Sequence, residues 1–143
     1  MRRQRRALLA AGAALLCRPA RALPDEMLAA IQAFTGGTAL QNGRVVLDIA
    51  TLVENGNAVP VTLSVPGSAP GSVKRLALFT ERNPQPGVAV FEFGPLSARP
   101  EVATRMRLAT SQALVAVAQM SDGSCWQHRV DVVVTLAACI EGG

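Results

Sequence analysis

The sequence predicts an all-β protein: an immunoglobulin-like antiparallel β-sandwich of about seven strands, with a short N-terminal helix and a mobile C-terminal arm. Three observations predict it. Apolar residues alternate with polar ones in several short runs, as they do in strands with one buried face. Pro- and Gly-rich stretches separate those runs at similar spacing. No helical period recurs between them. Half of the 143 residues are hydrophobic, but with no Tyr, one Trp and four Phe the core must be aliphatic.

The elements follow in order. Residues 1–22 have the three parts of an export signal: a charged start, an apolar run from Ala7 to Cys17, and Ala20-Arg21-Ala22 as a cleavage site before Leu23. The run is shorter than the ~20 residues that span a bilayer, so the reading is export without a membrane anchor. Arg5-Arg6-Ala7-Leu8-Leu9 fits a twin-arginine signal, with Arg2-Arg3 as a competing pair. Cys17 is expected to leave with the signal, since Leu16 stands where a lipidated Cys wants a small neighbour.

Pro24-Asp25-Glu26, then Met27, Leu28, Ile31 and Phe34, then Gly36-Gly37, reads as a helix with its start and stop. Val45–Ala50 is a first strand, and Asn55-Gly56 is a turn pair that tolerates positive φ. Val59, Val61, Leu63 and Val65 alternate with polar residues. Pro60 makes this an edge strand or the opening of one, because it donates no ladder bond. Val73–Thr80, Val88–Phe93 and Val102–Leu108 continue the series. Ala113–Met120 and Ser124–Leu136 form a hairpin about Ser121-Asp122-Gly123. The sandwich domain is thus 23–136, and residues 137–143 are left as an arm.

Charge excludes one class of partner. Six of the 14 Lys and Arg residues lie in the signal, leaving eight cations against ten acids and a formal charge of −2. That balance offers no electrostatic footprint for nucleic acid. No cofactor motif is present, and a single His leaves zinc or blue copper without ligands, so neither a metal nor another cofactor is expected.

His128 shares its parity with Trp126 and reads as a hydrogen-bonded structural residue, since no nucleophile and acid can be assembled around it. Trp126 reads as a core anchor between the sheets. Arg105 and Arg107 read as a solvated outer face. Cys125 reads as an incidental thiol. A disulfide to Cys139 is disfavoured, because a continuous strand puts the two some 40 Å apart against the ~6 Å a disulfide needs. Cys139 is different in kind: it lies beyond the last strand among small residues, on an arm that could carry its sulfur ~10–20 Å from the sandwich. That suggests a carrier, with an accidental Cys on a disordered end as the alternative.

From Leu23 to Leu136 the chain resembles the SoxY family, the carrier subunits of bacterial periplasmic thiosulfate oxidation. The stretches that carry the resemblance are Val53-Glu54-Asn55-Gly56 with Val59-Pro60-Val61, Asn83-Pro84-Gln85-Pro86, Phe91-Glu92-Phe93, Thr104-Arg105-Met106-Arg107-Leu108-Ala109, and Val115 through Gly123. The resemblance implies an immunoglobulin-like sandwich, twin-arginine export and a heterodimer with a second small sandwich subunit, SoxZ. It also implies that the arm Cys, here Cys139, holds a sulfur compound covalently while separate periplasmic enzymes oxidise or hydrolyse it.

The family arm reads Gly-Gly-Cys-Gly-Gly. Here Ala137 and Ala138 replace the first two glycines, and Ile140-Glu141 precedes Gly142-Gly143, so the arm resembles that of a SoxY-related subgroup. Ala is stiffer than Gly, and Glu141 with the terminal carboxylate puts negative charge near the sulfur, which disfavours the thiolate. The leading reading is a covalent sulfur carrier and not an enzyme. A binding or assembly module whose arm only docks is the alternative. A thiol enzyme is the weakest reading, because no resolving Cys or adjacent base accompanies Cys139.

Overall fold

The computed structural model describes residues 24–97 and 99–138. The expected export signal, residues 1–22, lies outside them. So do Cys139, Ile140, Glu141, Gly142 and Gly143.

Helix α1 spans Asp25–Thr35. Pro24 starts it by accepting the amides of Met27 and Leu28 at 2.9 and 3.2 Å, and Gly36 ends it at φ 64°, a left-handed conformation that suits Gly. Nine strands follow among the described residues: β1 (Leu40–Asn42), β2 (Val46–Asp48), β3 (Leu52–Val53), β4 (Val59–Ser64), β5 (Val73–Thr80), β6 (Gly87–Glu92), β7 (Glu101–Met106), β8 (Gln112–Met120) and β9 (Cys125–Val134). They form two sheets. The larger has the order β1-β9-β8-β5-β6, with β3 also on β9, and the smaller is β2-β4-β7.

The run read as one strand from Val45 to Ala50 is one part of a more complex path. β1 runs parallel to β9 in the larger sheet, the chain crosses at Gly43 and Arg44 (φ 110° and 60°), β2 joins the smaller sheet, and β3 returns to the far end of β9. Pro60 settles its own alternative. β4 is the central strand of the smaller sheet, but β2 reaches only to Thr62, so at Pro60 the sole ladder partner is β7 and the missing N–H costs nothing.

Between the sheets lie Leu47, Val59, Val61, Leu63, Leu76, Leu78, Met106, Leu108, Leu114, Ala116 and Ala118. The alternation of β4, β6 and β7 follows, with inner residues buried or half-buried and outer ones largely exposed. β8 breaks it, being buried on both faces. Helix α1 lies on the outer face of the larger sheet, where Met27, Ile31 and Phe34 pack on Ala77, Phe79, Val115 and Val117. Phe34 meets Phe79 edge to face at 5.9 Å. Arg75 fastens this layer, donating to Phe34 O at 2.9 Å and to Gln119 Oε1 at 2.7 Å while its guanidinium covers the Phe34 ring. Leu28, which the spacing places in the apolar stripe, is 37% exposed and belongs to neither core cluster.

The β8–β9 hairpin turns at Gly123 (φ 87°). Asp122 Oδ1 accepts both the Ser124 hydroxyl and its amide, at 2.6 and 2.9 Å, and these two bonds hold the carboxyl below its ordinary range.

Candidate functional site

β9 ends at Val134, and the way the chain leaves it defines the site. Thr135 donates its amide to Val53 O at 3.0 Å and its hydroxyl to Glu54 O at 3.2 Å. Leu136 O accepts the amide of Gly56 at 2.8 Å, and Ala138 donates its amide to Leu108 O at 3.0 Å. Leu108 in turn donates to Gly56 O at 2.8 Å, so three separate stretches of backbone lock together.

Gly56 is read from the sequence as a residue for positive φ, and the structure gives it another reason. Its φ is not positive; a Cβ there would stand 2.5 Å from Leu108 O and 3.0 Å from Ala138 N. Only glycine lets the three backbones approach this closely. From the other side, Asn83 Oδ1 accepts the amide of Ala109 at 3.0 Å and Asn83 Nδ2 donates to Arg107 O at 2.8 Å. Gln112 Nε2 supports Asn83 Oδ1 at 2.9 Å. The stretches around Gly56, Asn83 and Leu108, distant in sequence, therefore converge where the chain departs toward Cys139.

This changes the extent of the arm. Ala137 and Ala138 were counted in it, yet Ala138 is buried and bonded to the sandwich. Cys139 comes one Cα step, ~3.8 Å, after that anchored residue. The reach of ~10–20 Å assumed a chain free from residue 137 onward, and it is not available while Ala138 stays bound.

Cys125 opens β9 at the opposite end and is fully buried. Burial raises its thiol pKa; the positive charge of Arg75 lowers it in part, and Asp122 raises it. A buried thiol of raised pKa is inert. The ten residues of β9 separate Cys125 from the departure point by roughly 30 Å, far beyond the ~6 Å of a disulfide.

His128 has the structural role read from its parity. Its Nδ1 accepts the amide of Leu47 at 2.9 Å, joining β9 of the larger sheet to β2 of the smaller one. Trp126 is a rim residue more than a central anchor: half-buried against the core, it donates Nε1–H to Ser124 Oγ at 3.1 Å and carries the Arg44 guanidinium 5.1 Å from its ring centre. Arg105 and Arg107 lie on the exposed face. Among the described residues, no group of three or more His, Cys, Asp or Glu could hold a metal ion.

Comparison with known proteins agrees with this geometry. A family model described as sulfur oxidation protein SoxY matches residues 31–139. The sulfur carrier protein SoxY from Chlorobium limicola is 34% identical and superposes with a TM-score of 0.67, over 78% of this chain and 98% of its own. A superoxide reductase (neelaredoxin) from Ignicoccus hospitalis shares the fold at 21% identity and a TM-score of 0.57, over 64% of this chain and 80% of its own. No curated protein sequence matches the chain.

Proposed function

The chain belongs to the SoxY family of sulfur oxidation proteins, and on that premise we propose that it holds a sulfur compound through a bond to Cys139 Sγ and presents it to partner enzymes. One observation carries the reading: the backbone lock of Gly56, Leu108 and Ala138 sets the residue before Cys139 at a defined point on the sandwich surface. A carrier needs a reactive group at a repeatable place, and it needs no base or metal of its own. Cys125, buried and inert, does not compete for the cargo.

The same premise supports export to the periplasm through the signal at residues 1–22, and a heterodimer with a SoxZ-like sandwich subunit. The chemistry on the cargo belongs to separate sulfur-oxidising or sulfur-hydrolysing enzymes. Ala137 and Ala138, where the family arm has glycine, and Ile140-Glu141, inserted before Gly142-Gly143, favour partners adapted to a stiffer and more acidic arm.

The intact mass of the protein purified from its native host, beside the Cys139→Ser variant, tests this reading. Adducts of sulfur or sulfonate mass confined to the Cys139 protein are expected. An unmodified wild-type protein from cells oxidising sulfur compounds would leave the docking module as the better reading.

A further inference from the structure

We propose that the crossing between the two sheets, at Arg44, is a binding site for a small divalent oxyanion, of which sulfate is the simplest. None of its residues belongs to the arm, so it stands apart from the carrier reading. After β1 the chain makes a three-residue turn in which Val45 donates its amide to Gly43 O at 2.7 Å, with Arg44 at the centre. Arg44 has φ 60° and is, among the described residues, the one residue other than glycine with a positive φ. A turn of this hand is rare and strained, and glycine would occupy it without steric cost. Such strain collects at functional sites.

The turn fixes a guanidinium with free donors. It lies 5.1 Å from the centre of the Trp126 ring, and among the described residues it makes neither a hydrogen bond nor an ion pair. Arg44 lines an open cavity of about 490 Å³ with Asn42, Gln127, His128 and Arg129. His128 Nδ1 accepts the Leu47 amide, so the neutral ring carries its proton on Nε2. Nε2 has no partner, and no buried side-chain nitrogen or oxygen among the described residues lacks one, so Nε2 reaches solvent. Arg129 makes one contact, Nη2 to Asp131 Oδ1 at 3.1 Å, and keeps its other donors.

No carboxylate lines this cavity. Asp122 feels the charge of Arg44, but its Oδ1 already accepts the hydroxyl and the amide of Ser124. Asp131 meets Arg129 through an exposed pair of the kind that contributes little. Two guanidinium groups and an imidazole N–H thus stand around a cavity without acids, in a domain whose acids outnumber its cations. Guanidinium forks match paired oxyanion oxygens, which a halide lacks, and a dianion balances both cations. The negative balance of the rest of the domain keeps the occupant small, because a polyanion would be repelled outside the cavity. Six residues of β9 at ~3.3 Å each separate His128 from Val134, so the site stands about 20 Å from the departure point.

Amide NMR spectra of the protein titrated with sodium sulfate, against sodium chloride at matched ionic strength, provide the test. Shifts at Gly43, Gln127 and Arg129 should saturate with sulfate and not with chloride. Arg44→Gly removes the guanidinium while suiting the turn, so it should melt within a few degrees of wild type and bind sulfate about tenfold more weakly. Arg129→Gln, an exposed change outside the turn, should also weaken binding severalfold, and Arg105→Gln, on the exposed face of β7, should leave it as it is.

Unchanged sulfate affinity in either Arg44→Gly or Arg129→Gln overturns the proposal. So does an equal response to chloride, or an equal loss in Arg105→Gln, since each would mean a general charge effect and no site. If Arg44→Gly unfolds, Arg129→Gln decides alone. Cys139→Ser should bind sulfate as wild type does; loss of binding there would place the anion at the arm and overturn this site. An unmodified Cys139 in the native host overturns the carrier reading and leaves this site standing.

Discussion

The amide of Ala138 lies 3.0 Å from the carbonyl oxygen of Leu108, and this bond decides where the free chain begins. Leu108 is fully buried, so the bond ties the residue before Cys139 to the core and not to a mobile loop. Through the second Leu108 bond, to Gly56 O, the turn before β4 takes part in the same lock.

Gly56→Ala should therefore loosen the lock. The added methyl would meet Leu108 O and Ala138 N at 2.5 and 3.0 Å, and main-chain atoms cannot step aside as a side chain can. A loss of about 2 kcal/mol is expected, typical of overpacking, with a fall in melting temperature of roughly 5–10 °C. Hydrogen exchange should quicken at the amides of Leu108 and Ala138. Unchanged melting and exchange would mean that the close approach tolerates a side chain.

His128→Ala should cost stability without touching the chemistry. The Leu47 amide loses its acceptor, and an unpaired buried donor costs ~1–3 kcal/mol. Loading of Cys139 by tetrathionate should proceed at the wild-type rate. Slower loading in a variant that remains folded would give His128 a part in the reaction, contrary to its position between the sheets.

Cys125 should give the protein a weakness at alkaline pH. Its folded pKa is raised, chiefly by burial, so above about pH 9.0 the unfolded chain releases a proton that the folded chain still holds. This part of the stability is fully present below the unfolded pKa and is lost as pH rises through the folded one. Denaturant midpoints measured from pH 8 to 10 should fall more for wild type than for Cys125→Ala. Parallel curves would show that the thiol is not held protonated by the fold.

Much of this fold was legible because burial writes a period of two into strands with one covered face. β4, β6 and β7 have that pattern, and the hairpin of β8 and β9 was visible from its turn. The short strands were not. β1 and β3 are three and two residues long, and they run parallel to β9 through backbone bonds that leave no side-chain period. β8 lacks that period because α1 covers its second face, and nothing in the run Ala113–Met120 names the helix that does so.

The candidate site was legible in part for the same reason. Cys139 could be singled out by its place beyond the last strand. The hold on Ala138 could not, because Ala137 and Ala138 have no pattern and the bonds that fix the chain are main-chain ones. Gly56 was the single trace, and its Asn-Gly context pointed to a turn conformation when the cause was proximity. The span of the resemblance contained the rest: the stretches around Gly56, Asn83 and Leu108 are the ones that meet at the departure point.

The central claim is that the thiol of Cys139 holds the cargo, and replacing its sulfur by oxygen in the living host tests it most directly. In a strain lacking the chromosomal copy, wild type should restore oxidation of the host's sulfur compound at the normal rate. Cys139→Ser, which preserves the size and position of the side chain, should leave it at the level of the deletion, while Cys125→Ser remains close to wild type. Full restoration by Cys139→Ser would contradict the account, because a serine cannot form the sulfur–sulfur bond on which a carrier depends.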